Sequence, residues 1–95
     1  MSQNHFNAAN IWGRVMETKP GKSPGGKPFL GLRLNCTGRC GTVQAYGRLW
    51  GDGRIAGILD HLKQEEDGIL RFRGFFSQYL ATDVRLTNFS FYQWS

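Results

Sequence analysis

Aromatic rings and arginines alternate along four stretches of this 95-residue chain. Trp12 and Arg14 stand two apart, as do Tyr46, Arg48 and Trp50. Phe29 and Arg33 share parity, and so do Arg71, Arg73, Phe75 and Tyr79. Successive strand side chains point to opposite faces, so each group lies on one face if its stretch is extended. No acid appears among these residues. Rings interleaved with guanidiniums suit a flexible polyanion that carries flat bases. Bases stack on aromatic faces for about 1–3 kcal/mol each, and the arginines neutralise phosphates. A duplex offers no free base faces, so the rings would be wasted on it. Alternatively, some of the rings cover the outside of the fold or form a dimer interface, since aromatics are enriched where proteins meet.

Lys19, Lys22 and Lys27 add a basic segment, "KPGKSPGGKP" (19–28). Gly21-Lys22-Ser23 ends like a phosphate-binding loop, but the glycine required five residues earlier is Met16. Such a loop also opens a helix whose free N–H groups face the phosphates. Pro24, Gly25, Gly26 and Pro28 forbid one here. The segment reads as a turn between two strands.

The chain carries 12 Lys+Arg against 7 Asp+Glu, a net charge of +5. Four of the acids, Asp60, Glu65, Glu66 and Asp67, lie within eight residues, so the rest is strongly basic. That balance favours a polyanionic partner, although a basic surface also serves solubility. Cys36 and Cys40 form a C-x3-C pair, and a metal site would want two further ligands. His5 and His61, the only histidines, are not placed as a pair, so two ordinary thiols are expected and no metal or cofactor. No acid has a partner histidine that would make a catalytic set, and no base is nominated for a cysteine nucleophile. A binding protein rather than an enzyme is expected. No apolar run reaches the roughly 18–20 residues that cross a membrane, and Met1 to Asn10 is polar, without a signal-like apolar segment. A cytoplasmic protein with no membrane partner is expected.

The elements that must position these residues follow from periodicity. After a polar lead-in (1–9), "NIWGRVMETK" (10–19) reads as a strand. "PFLGLRLNC" (28–36) alternates, with Leu30, Leu32 and Leu34 on one face. A glycine-rich turn (37–41) leads to "TVQAYGRLW" (42–50), which places Val43, Ala45, Gly47 and Leu49 opposite the ring face. In residues 51–68 the period becomes helical, through Ile55, Ile58, Leu59 and Leu62, with Asp52 as a plausible N-cap. "ILRFRGFFSQYL" (69–80) is a strand with Leu70, Phe72, Gly74 and Phe76 inward. A turn (81–83) precedes the last strand (84–94).

Interior glycines at 13, 47 and 74 suit a sharply coiled sheet. The length fits one domain spanning 1–95. The order of strands, with one helix between strands 3 and 4, predicts an all-β protein, a five-stranded OB-fold Greek-key barrel. In that layout the helix plugs one barrel end, and the loop between strands 1 and 2 lies along an oligonucleotide groove. An SH3-like barrel is the alternative, and it lacks a full helix there. The nucleic-acid-binding set on this fold is then Trp12, Arg14, Lys19, Lys22, Lys27, Phe29, Arg33, Tyr46, Arg48, Trp50, Arg71, Arg73, Phe75 and Tyr79.

"IWGRV" (11–15), "SPGGKPFLGLRL" (23–34), "VQAYGRL" (43–49) and "ILRFRGFF" (69–76) occur in the order that resembles the bacterial single-stranded DNA-binding protein family. The resemblance spans about residues 10–94 and rests on pattern and spacing. It implies sequence-nonspecific binding of single-stranded DNA in replication, recombination or repair, and OB sheets that pair as homodimers or homotetramers. It also implies Trp50, Phe75 and Tyr79 as stacking rings. Longer members carry an acidic tail that recruits replication proteins. This chain stops at Trp94-Ser95 and is more similar to short members, such as primosomal replication protein N or phage- and plasmid-borne binders. Two alternatives stay open: RNA in place of DNA, and a protein-interaction OB module whose aromatic face docks a partner protein.

Overall fold

The computed structural model describes residues 7–38, 41–64, 68–76, 81–82 and 85–95. The strands are β1 (Asn7–Lys22), β2 (Pro28–Gly38), β3 (Gly41–Trp50), β4 (Leu70–Phe76), β5 (Ala81–Thr82) and β6 (Arg85–Trp94), with helix α1 (Asp52–Gln64) after β3. The sheet order is β3-β2-β1-β4-β6, and a parallel pairing of β3 with β6 closes it into a five-stranded barrel. β5 is a two-residue addition paired to β6. With a full helix between the third and fourth strands, this is the expected OB-like barrel and not the SH3-like alternative.

Closure depends on β1, which is longer than the sequence pattern suggests. Its first half pairs with β4, from Asn7 opposite Phe76 to Gly13 opposite Leu70. Its second half pairs with β2, from Arg14 opposite Asn35 to Lys22 opposite Pro28. Just inside the second half the register slips at Val15/Glu17. A bulge of this kind bends a strand and increases its twist, so one strand can serve two sides of a barrel.

The alternating leucines point inward as expected. Leu30, Leu32, Leu34, Ala45, Leu49, Leu70, Phe72, Phe89 and Phe91 are buried together with Ile58 of α1. β6 crosses the barrel where glycine is required. A Cβ on Gly47 would lie 2.8 Å from Phe89 Cβ, and one on Gly74 would fall on the Ser90 carbonyl oxygen. Neither site has room for a side chain while the barrel is closed.

Of the helix residues expected in the plug, Ile58 is fully buried and Ile55 and Leu62 pack against the core. Leu59 does not, being 37% exposed. The buried stripe runs through i, i+3 and i+7, which leaves position i+4 at its edge. Asp52 is the first helical residue and not the cap. The Gly51 carbonyl accepts the Ile55 N–H at 2.9 Å, and Gly51 has φ +106°, which a side-chain-bearing residue rarely adopts. Trp94 seals the helix to β6 by donating its Nε1 hydrogen to the Arg54 carbonyl at 3.0 Å. Among the described residues, no helix is long and apolar enough to cross a membrane.

Candidate nucleic-acid interface

The register of β2 on β3 assembles the outer face residue by residue. Phe29 pairs with Trp50, Gly31 with Arg48, and Arg33 with Tyr46. The inward partners alternate with them, Leu30 with Leu49 and Leu34 with Ala45. Burying the leucines therefore forces the rings and arginines outward, because a one-residue slip would exchange the two faces.

The Phe29 and Trp50 rings meet tilted by 59°, with centroids 5.2 Å apart. Arg48 places its guanidinium 4.3 Å from the Phe29 centroid, and Lys27 places its ammonium 5.3 Å from that of Trp50. A cation over a ring face is attracted by the ring quadrupole. The Phe29 ring lies over Gly21, where an added Cβ would come within 2.7 Å of it. Glycine at 21 thus lets the ring lie flat on the β1–β2 hairpin. Trp50 is half-buried, and its indole Nε1 is buried without a hydrogen-bond partner.

An open groove of about 850 Å³ runs beside these rings. Lys19, Lys22, Phe29, Arg33, Tyr46 and Arg48 are among the residues that line it. Tyr46 donates its hydroxyl to Gln44 Oε1 at 3.0 Å, which fixes that ring on the groove wall.

The lysines do not all lie in the turn that the proline and glycine content suggests. β1 continues through Pro20 and Gly21, so Lys19 and Lys22 stand on a paired strand. The turn is confined to Ser23–Lys27, where Ser23 and Lys27 bond through their backbones at 2.8 Å and Gly26 has φ 86°. Only Lys27 belongs to it. Phe29 packs on Gly21 and Pro20 pairs with Leu30, so the strand ladder continues along the hairpin up to this turn.

The expected acid-free face also needs correction. The bulge in β1 turns Glu17 outward opposite Arg33, and Arg33 Nε donates to Glu17 Oε1 at 3.1 Å. Strict alternation from Trp12 and Arg14 would have placed Met16 there, so sequence reasoning missed the carboxylate.

The expected set is not one cluster. Trp12, Arg71, Arg73 and Phe75 stand on the first half of β1 and on β4, away from the β2–β3 pair, and Arg14 begins the second half of β1, opposite Asn35 of β2. The Arg71 guanidinium lies 6.0 Å from the Trp12 centroid. Phe75 meets Tyr92, a residue the sequence reading did not select, with centroids 6.3 Å apart. The sequence reading assigned no faces to the last strand, although alternation from the buried Phe89 and Phe91 already turns Tyr92 outward. Arg73 pairs with Gln93 and Gly74 with Phe91, so Tyr92 is the unpaired residue of a bulge beyond which Gln93 faces out and Trp94 packs on the core. Arg54, Arg71, Arg73, Gln93, Trp94 and Ser95 line a smaller pocket of about 220 Å³. Tyr79 lies outside the described residues.

Cys36 is a free thiol packed against the core, and burial pushes its pKa up. Cys40 and His5 lie outside the described residues. His61 of α1 packs its ring 5.4 Å from that of Trp94 of β6.

No family model matches the chain, and neither a curated protein nor a solved structure does.

Proposed function

We propose that the chain binds single-stranded DNA with little sequence preference, in the groove across β1, β2 and β3. The observation that carries this reading is the row Lys27, Trp50, Phe29, Arg48. Two adjacent strands present two rings side by side, and each ring has a cation over it. Rings give every base a face to stack on, and cations answer each phosphate. The arrangement accepts any base, because a π-face is common to all four. Lys19 and Lys22 extend the positive wall along the same groove, where Arg33 is paired with Glu17. Activity of this kind serves replication, recombination or repair wherever strands are separated, and it requires no catalytic group.

Fluorescence anisotropy against dT, dA and mixed oligomers at two salt concentrations tests the reading. The expected result is similar affinity for all three and a steep fall with salt, from the counterions that phosphate contacts release. Binding to duplex alone would refute it. Salt-insensitive behaviour of the ring face would point instead to a docked protein.

A further inference from the structure

We infer that Phe75, Tyr92 and Trp12, with Arg71 and Arg73, form a second stacking track that continues the groove across β6 and takes nucleotides beyond those the groove holds. The inference rests on the reading of the groove given above.

Ser90 makes the connection. It lines the groove, and on β6 it pairs with Arg48 of β3 on one side and with Phe75 of β4 on the other. The outer surface therefore runs Arg48, Ser90, Phe75 over two inter-strand steps of about 4.8 Å each. A serine at the crossing leaves it low. Beyond it stand Phe75 and Tyr92, 48% and 40% exposed, and further along Trp12 at 53%. Arg73 pairs with Asn10 and Arg71 with Trp12, so cations and rings continue to alternate along the path. Arg54, Arg71 and Arg73 line the pocket at its far end, a place for phosphate.

Charge selects the occupant. Neither β4, β6 nor the first half of β1 contains an acid. A second copy docked here about a two-fold axis would bring together two copies of a patch that carries Arg71 and Arg73 and, on these strands, no acid to offset them. Concentrating like charge in one interface is costly. A polyanion with stackable bases relieves that charge and covers the rings.

The range of single-strand lengths that OB barrels occlude, about 4–16 nucleotides, supplies the test. Oligo-dT from each end of that range is titrated into the wild type and a Phe75→Ala/Tyr92→Ala variant. The variant is expected to lose at least about 5-fold in affinity for the long oligomer, the low end of one lost stack. Its affinity for the short oligomer, which the groove alone holds, is expected to stay unchanged and shows that the variant is folded. Arg73→Gln is expected to flatten the salt slope by about 0.7 for the long oligomer only. Unchanged long-oligomer affinity in the double variant, or equal losses for both lengths, overturns the second track and leaves the groove reading intact. A change in sedimentation without a change in long-oligomer affinity would also overturn it, by assigning the rings to self-association. If the wild type binds neither length, the groove reading fails and the track fails with it.

Discussion

Arg33 gives its Nε hydrogen to Glu17 Oε1 at 3.1 Å, across the first register pair beyond the β1 bulge. The pair lies on the groove wall, with Arg33 32% and Glu17 62% exposed at their side chains. An ion pair so exposed is worth about 0–1 kcal/mol to folding. Its larger effect is on the groove, because the carboxylate occupies the guanidinium that a phosphate would use. Glu17→Gln is expected to tighten binding to oligo-dT. It should also steepen the salt slope by about 0.7, one further phosphate contact, with little change in melting temperature. Weaker binding by the variant would show that Glu17 positions Arg33 for the strand and does not compete with it.

Trp50 stands beside the groove, against the Phe29 ring, and is half-buried. Trp50→Ala is expected to cost about 1–3 kcal/mol of binding, one base stack. It also removes the contact with Phe29, worth about 0.5–1.5 kcal/mol. A loss of that size lowers the melting temperature by roughly 4–8 °C per kcal/mol. Trp50→Phe keeps a ring and removes the unpartnered buried N–H, so binding and stability are both expected to hold. Loss of binding in the Phe variant would mean that the indole nitrogen itself meets the ligand.

Lys19→Ala, Lys22→Ala and Lys27→Ala combined are expected to weaken binding and to flatten the salt slope by up to about 2, at about 0.7 per phosphate. A slope like that of the wild type would exclude the β1–β2 arm from the path of the strand. Two of the three lysines stand on a paired strand, so the fold is expected to survive the change.

Gly74→Ala is expected to be the most damaging small substitution in the barrel, because its methyl would meet the backbone of β6 and not a movable side chain. Overpacking typically costs about 1–3 kcal/mol, and a backbone obstacle belongs at the upper end. Gly25→Ala, in open space in the turn, is the control. Equal melting temperatures for the two variants would disprove the close approach.

Cys36 is expected to react with iodoacetamide more slowly than a free thiol at pH 8, because a raised pKa lowers the thiolate fraction. Unfolding should restore the rate. A fast native reaction assigned to Cys36 by peptide mapping would contradict its packing against the core.

Period-two alternation was enough to separate the faces of β2 and β3, where no residue interrupts the ladder. Leu30, Leu32 and Leu34 point inward, and Phe29 and Arg33 point outward, as their spacing alone implies. It failed where a strand gains a residue. Glu17 sits just past the register slip in β1, and a slip reverses which parity faces out. Tyr92 was missed for a simpler reason, since the faces of the last strand were never assigned although Phe89 and Phe91 point inward on either side of Ser90. Composition misled at 19–22, because proline and glycine resemble a loop until Phe29 is seen to need the space above Gly21. The division of the ring set into two groups was invisible for another reason. Which strands are neighbours is decided by barrel closure, and no local pattern encodes that.

The parallel closure of β3 on β6 also sets how the chain reaches its native state. Its pairings, and the Trp94–Arg54 bond at a separation of 40 residues, join distant parts of the chain. Loops that long must be closed before any contact rewards them, so folding belongs to the slow, millisecond-to-second regime of β barrels. The meander β1–β2–β3 can form early from local hairpins, but its β3 edge then waits, unpaired, for β6. During synthesis β6 is the last of these elements to emerge. Until it arrives, Leu49 and Ala45 lie beside an open strand edge, the kind of surface on which nascent chains aggregate.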